Sequence, residues 1–455
     1  MELLIKNGTI INANSTSVAD VLCRDNKIVE IGDVSITNTS VDRIIDATGC
    51  YIIPGGIDPH VHMYLPSPAG FSSDDFYSGS KAALFGGTTS IIDFVTPIMG
   101  ESLQDAISKR TKESQNCLTN YSFHVSPIEW RYTIENEIDN CISKGLRSLK
   151  VYMAYKDTIG LDDEVLLKVM KVVGNAGGMV TVHCELGDEI EILRNKYITE
   201  NCLTPEFHPL SRPSKLEAKA VEKAINFAKE AQCPIYIVHV STKESLEYIR
   251  EAQKKGQAVF AETCPQYLIL DDSKYIGDFE KTAPFVMSPP LRKKEDIDAL
   301  WDAISDGTIQ TVGTDHCPFN LNQKEKGRLD FRKIPNGSGG VEHRLSLLFT
   351  YGVLQGKISI NQFVALTSTN AAKLFGIYPE KGIIEVGSDA DLVVWNPKIE
   401  NIISASTHHQ NCDNNIYEGI KTIGSPRYII KSGQVVVENG LMIYTPFKGQ
   451  LIVRK

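Results

Sequence analysis

At 455 residues the chain is long enough to bury a large core and to hold one large domain plus a smaller module. A formal net charge of −9 argues against nucleic-acid and anionic-membrane partners, and no apolar run approaches the length of a membrane-spanning helix. Ten scattered cysteines without a CxxC pair point to a reducing cytoplasm and leave no structural zinc ribbon.

Residues 3–11 read as apolar strands around an Asn7-Gly8 hairpin turn, which also interrupts any signal-peptide core. Residues 21–31 read as a second hairpin, turning at Asp25-Asn26. Eight short apolar runs follow, each leading to a polar residue. The run 51–57 precedes His60 and His62; 89–92 ends at Asp93; 121–123 ends at His124; Leu149 leads into Lys150. Then 179–182 ends at His183, 235–238 at His239, 258–261 at Glu262, and 309–314 at Asp315 and His316. Helical periodicity fills the gaps at 162–176, 215–231 and 295–305, and Ser241 to Glu244 read as a capping box for a helix running to Lys255. Toward the C-terminus, 391–395, 428–437 and 438–442 return to hairpin-style strands.

Strands alternating with helices argue for parallel βαβ units, and eight of them argue for a closed (β/α)8 TIM-type barrel. A doubly wound open sheet is the alternative. The two hairpin-rich ends predict a small β-sandwich domain built from residues 1–53 plus 380–455, with the barrel spanning 54–379.

In an extended strand, side chains alternate with period two, so His60 and His62 point the same way. Two converging imidazoles suit a borderline metal such as zinc, although an isolated HxH reads as well as two hydrogen-bonded histidines. A barrel brings strand C-terminal ends to one mouth, which gathers His60, His62, Lys150, His183, His239 and Asp315. Four histidines and an aspartate can hold two divalent ions, but adjacent cations need a bridging anion. Beside cations a lysine is favoured as the neutral amine. That amine can add carbon dioxide to give a carbamate with two oxygens. The step is chemical inference rather than a consequence of spacing; a salt-bridged lysine is the plain alternative.

The combination resembles the cyclic amidohydrolases of the amidohydrolase superfamily, specifically the dihydropyrimidinases and D-hydantoinases. The stretches that carry the resemblance include Pro54-Gly55-Gly56-Ile57-Asp58-Pro59-His60-Val61-His62, Leu149-Lys150-Val151-Tyr152-Met153-Ala154-Tyr155, Val182-His183-Cys184-Glu185, Met287-Ser288-Pro289-Pro290 and Gly313-Thr314-Asp315-His316-Cys317-Pro318. It implies that His60, His62 and Asp315 hold the more buried ion, that His183 and His239 hold the more exposed one, and that carboxylated Lys150 joins them. It implies zinc, with manganese as the alternative. It also gives Tyr155 to the oxyanion, Asp315 to proton transfer, and Ser288 with the backbone at Asn336 to the ring edge. On its own Ser288 reads as a hydroxyl capping a Pro-Pro turn, and Tyr155 as a half-buried barrel tyrosine. Asp93, His124 and Glu262 take supporting roles, and His208, His316, His343, His408 and His409 are expected to be structural.

The implied reaction is hydrolysis of the cyclic amide bond of 5,6-dihydropyrimidines or 5-substituted hydantoins to N-carbamoyl amino acids, in a cytoplasmic homotetramer. The loop after His62 departs from the Pro-Phe-Gly-Gly stretch of many relatives, which leaves ring preference open. Tyr64 stands where dihydroorotases carry an arginine, which argues against that substrate. An allantoinase-like ureide hydrolase, a hydrolase of linear amides and a non-catalytic scaffold are the rival readings. The scaffold fits poorly, because all six ligand positions are filled.

Overall fold

The computed structural model describes residues 2–34, 41–156, 158–443 and 447–455. Positions 35–40 and 444–446, within the spans expected to form the β domain, lie outside the described residues, as do 1 and 157.

Eight parallel strands pair in chain order: Gly56–Val61, Thr88–Val95, Asn120–Val125, Ser148–Tyr152, Met179–His183, Ile235–Ile237, Val259–Thr263 and Thr311–Val312. Their side chains are buried almost throughout, as expected where helices cover one face and the barrel core fills the other. The eighth strand meets the first through an isolated parallel bridge between Val61 and His316, beside which the His62 N–H donates to the His316 carbonyl at 2.8 Å. Buried side chains reinforce this seam. The Arg344 guanidinium donates to the carbonyls of Ile57 at 2.8 Å and Val312 at 3.0 Å. Asp58 accepts from the Thr314 hydroxyl at 2.6 Å. The closed barrel therefore stands, and the open sheet does not.

One expected strand divides. Tyr51–Pro54 belongs to the outer sheet, and the barrel strand begins only at Gly56. Gly55 makes the crossing: a Cβ there would lie 2.1 Å from Thr89 Oγ1, so no larger residue fits between the two sheets. The outer sheet has nine strands drawn from both termini, running from Glu2–Ile11 through Tyr51–Pro54 to Leu392–Ile402 and Lys421–Lys431. It packs its own core of Leu3, Ile5, Ile52, Leu392, Val394 and Ile430.

Asn7-Gly8 is not a hairpin turn. Glu2–Ile11 is one strand, and its register against Thr16–Arg24 slips between Ile5 and Gly8. Asn7 takes φ 61° and donates its N–H to Asp20 at 3.0 Å, so the left-handed residue makes a bulge instead of a reversal. The turns at Asp25-Asn26 and Asn439-Gly440 are hairpins, with both residues at positive φ.

The helices Asp163–Asn175, Ser214–Glu230, Lys243–Lys254 and Lys294–Ser305 fall where the periodicity places them. The cap of the third differs from the expected box. Thr242 is the N-cap, accepting from the Ser245 N–H, while Ser241 donates to buried Glu217 and accepts from Arg292 at 3.0 Å. After the outer sheet, residues 447–455 return to the barrel: Ile452 N–H donates to the Tyr121 carbonyl at 2.7 Å, and Arg454 to Ser148 Oγ at 2.5 Å.

Candidate active site

His60 lies in the first barrel strand, His62 just beyond it, and Asp315 in the loop after the eighth. His60 Nε2 and His62 Nε2 are 3.2 Å apart, and each is 3.1 Å from Asp315 Oδ1. Among the described residues this is the one group of three such donors that converges tightly enough for a metal ion. Glu262, fully buried, accepts from His60 Nδ1 at 2.7 Å, which fixes the ring with Nε2 turned inward. Glu262 also accepts from the Tyr236 hydroxyl at 2.8 Å and the His239 N–H at 3.2 Å.

The electrostatics are those of groups crowded together. Burial pulls His60 down, but Glu262 and Asp315 outweigh it and lift its pKa to about 9. Burial dominates at His62 and takes it to about 4. Asp315 resists burial because His60 and His62 hold its carboxylate well below the usual range. His62 Nδ1 is buried and has no hydrogen-bond partner among the described residues.

A second pair sits across the mouth. His183 Nδ1 faces His239 Nε2 at 3.0 Å, with each ring pushed toward its neutral form by burial. Glu185 accepts from His183 Nε2 at 2.8 Å and from Arg212 at 2.6 Å, leaving the Nδ1 lone pair free to face His239. The His60 and His239 ring centroids are 5.4 Å apart, so the two groups form one site. Lys150 is 1 % exposed and makes no salt bridge among the described residues. Its Nζ lies 5.0 Å from the ring centroids of both Phe94 and Tyr152. Burial, only partly offset by Asp315 and Glu262, lowers its pKa to about 8.

Tyr155 follows the fourth strand at φ 60°, with its ring centroid 5.4 Å from that of His183 and the Arg212 guanidinium 5.7 Å from its ring. Burial raises its phenol pKa against the pull of Arg212 and of a hydrogen bond with Ser288. Ser288 Oγ also donates to Asn336 Oδ1 at 3.1 Å. His239 and Asp315 share the left-handed backbone of Tyr155, at φ 39° and 53°. Such positions cost roughly 1–3 kcal/mol each and cluster where side chains must be aimed.

His60, His62, Lys150, His183, His239, Asp315, Tyr155, Ser288 and Asn336 thus gather at one mouth, whereas Asp93 accepts from Arg110 at 2.9 Å and His124 donates to the Pro59 carbonyl at 2.9 Å. The remaining histidines do not join it: His208 donates to the Met287 carbonyl at 2.7 Å, His316 pairs with Asp74 at 3.0 Å, and His409 with Glu342 at 2.8 Å. Two contributors escaped the sequence reading. Phe94 stacks on His62 at 4.5 Å and lies 4.7 Å from His60; its place next to Asp93 in a barrel strand was the available signal. Arg212 comes from an irregular, proline-flanked segment with no periodicity to mark it.

Comparison with known proteins agrees with this geometry. The amidohydrolase family profile matches residues 51–436, and the chain belongs to the amidohydrolase family. Within it, the chain is 44% identical to a D-hydantoinase of Geobacillus stearothermophilus, over 100% of this chain and 97% of that protein. It is 40% identical to a dihydropyrimidinase of Rattus norvegicus, over 100% and 89% respectively. The crystal structure of a dihydropyrimidinase from Brevibacillus agri superposes with a TM-score of 0.97 at 43% identity, covering 100% of this chain and 99% of that one.

Proposed function

We propose that the protein is a binuclear metal hydrolase that opens the cyclic amide bond of 5,6-dihydropyrimidines and 5-substituted hydantoins, releasing N-carbamoyl amino acids. The observation that carries this is the pairing of the His60–His62–Asp315 group with the facing His183 and His239 around a buried lysine that has no salt-bridge partner among the described residues. The donor set fits metal ions. Glu262 and Glu185 each fix a ring whose other nitrogen faces inward, and burial keeps His62, His183 and His239 neutral.

In this reading His60, His62 and Asp315 would hold one cation, His183 and His239 the other, and Lys150 as N6-carboxylysine would join the two sets. Imidazole-rich donors suit zinc and admit manganese. When bound, the cations supply Lewis acidity and a nucleophilic water at neutral pH. The chain does the rest. Asp315, held ionised, takes a proton from the attacking water and delivers it to the ring nitrogen as the C–N bond breaks. Tyr155, held protonated by its raised pKa, donates to the oxyanion that forms on the carbonyl. Ser288 and the backbone at Asn336 hold the alternating N–H and C=O edge of the planar ring. The ten free cysteines favour the cytoplasm, and a homotetramer completes the reading.

Protein purified from zinc-supplemented cells should contain two metal ions per chain by elemental analysis and should open dihydrouracil or hydantoin. Metal-free protein that is inert toward both rings would return the chain to the scaffold reading. Turnover of an open-chain N-acyl amino acid in place of either ring would favour a linear-amide hydrolase.

A further inference from the structure

Lys324 is 1 % exposed and has no acidic partner among the described residues. Its Nζ instead donates to three backbone carbonyls: Val286 at 3.0 Å, Pro335 at 2.7 Å and Gly337 at 2.8 Å. Those carbonyls flank the two ring-edge positions, two residues before Ser288 and on either side of Asn336. The Gly337 N–H donates to the Val286 carbonyl at 3.0 Å, so the two loops already touch, and Lys324 closes them from below. The same short segment reaches a third loop: Gln323 donates to the Phe71 carbonyl at 2.8 Å and Lys326 to the Ala69 carbonyl at 3.0 Å.

We infer that Lys324 is a positioning residue that clamps the 286–288 and 335–337 loops into the ring-binding conformation through an ammonium caged by carbonyls. The inference rests on the ring-edge reading of Ser288 and Asn336. Burial without a counter-charge lowers the Lys324 pKa to about 7, and what favours the charged form is the cage itself: only an ammonium has three N–H groups to meet three carbonyls. A charge of that kind is held for the geometry it imposes on neutral partners. Three carbonyl dipoles pointing at one nitrogen repel each other once it is gone.

The test is steady-state kinetics of the metal-loaded enzyme on dihydrouracil and hydantoin. Lys324→Met keeps the aliphatic stem and removes the ammonium. KM should rise tenfold or more while kcat falls less than threefold, with metal content unchanged, because binding is lost uniformly in ground and transition states. A KM within twofold of the parent's overturns the inference, whatever the melting temperature does. Should that variant not fold, Lys324→Arg is read the same way, since a planar fork cannot satisfy a cage built for a point charge. Ser288→Ala runs in parallel. If it raises KM while Lys324→Met does not, the clamp alone falls; if it leaves KM untouched, the ring-edge assignment of Ser288 falls.

Discussion

Replacing Glu262 with Gln is the sharpest test of how the first metal group is built. Glu262 is fully buried and serves three donors: His60 Nδ1 at 2.7 Å, the Tyr236 hydroxyl at 2.8 Å and the His239 N–H at 3.2 Å. The substitution keeps the volume and removes the charge. The His60 bond then drops from a charge-assisted one, worth about 1.5–3 kcal/mol, to a neutral one worth about 1 kcal/mol. One face of the amide also becomes a donor, which opposes His60 Nδ1–H or, placed at Tyr236, forces that hydroxyl to turn its proton to Thr311. The expected loss is about 1.4–2.7 kcal/mol of metal binding, or roughly 10–100-fold in affinity. Competition with a zinc chelator, followed by elemental analysis, measures it. Weakening should fall chiefly on the ion held by His60, His62 and Asp315, since only that group loses a side-chain anchor. An affinity within twofold of the parent's for that ion would refute the reasoning.

Three further outcomes are expected. Lys150→Ala should abolish turnover, and a short carboxylic acid should restore part of it by supplying the missing anion; undiminished turnover would remove Lys150 from the bridging role. Tyr155→Phe should lower kcat by about 3–4 kcal/mol in barrier and change KM far less, as expected for a donor used in the transition state; an unchanged kcat would take Tyr155 off the oxyanion. His208 is buried, and burial together with Arg212 lowers its pKa to about 3. Its neutral form therefore stabilises the fold fully above the unfolded value, and that contribution is lost as pH falls toward the folded one. His208→Gln should flatten the acid limb of urea-unfolding stability by up to about 1.4 kcal/mol per pH unit, and an identical slope in both proteins would refute this.

The barrel was legible because each strand carries its own signal: an apolar run, then a polar residue at the C-terminal end. Local pattern failed where one signal serves two structures. Asn-Gly marks a left-handed residue, and such a residue makes a bulge in the strand Glu2–Ile11 as readily as it makes a turn at Asn439-Gly440. The apolar run 51–57 looks continuous, yet Gly55 divides it between two sheets. Ser241 and Glu244 have the spacing of a capping box, but Ser241 is taken by Glu217, a partner 24 residues away. The groups that support the site were hidden for the same reason. Arg212 reaches Glu185, and Lys324 reaches Val286, across separations that no local window spans. What side chains do within one strand is written locally; what holds them in place is not.

The seam between the eighth and first strands shows why this matters for the chemistry. Among the described residues it is the one junction of the ring held by an isolated bridge instead of a ladder, and it carries His60, His62 and Asp315 together. A regular parallel ladder would keep residue 315 extended, with its side chain directed by the strand's alternation. Instead Asp315 turns left-handed at φ 53°, donates its N–H to the His60 carbonyl at 2.9 Å, and swings its carboxylate to within 3.1 Å of both imidazoles. Aspartate tolerates that backbone better than a branched residue would. The interstrand bonds forgone there are replaced from the side: Arg344 spans Ile57 and Val312 beneath the site, and Asp58 holds Thr314 immediately before the turn. The open seam is thus what lets His60, His62 and Asp315 converge from opposite ends of the barrel sequence, and the buried Arg344 and Asp58 are what keep an open seam closed enough to fold.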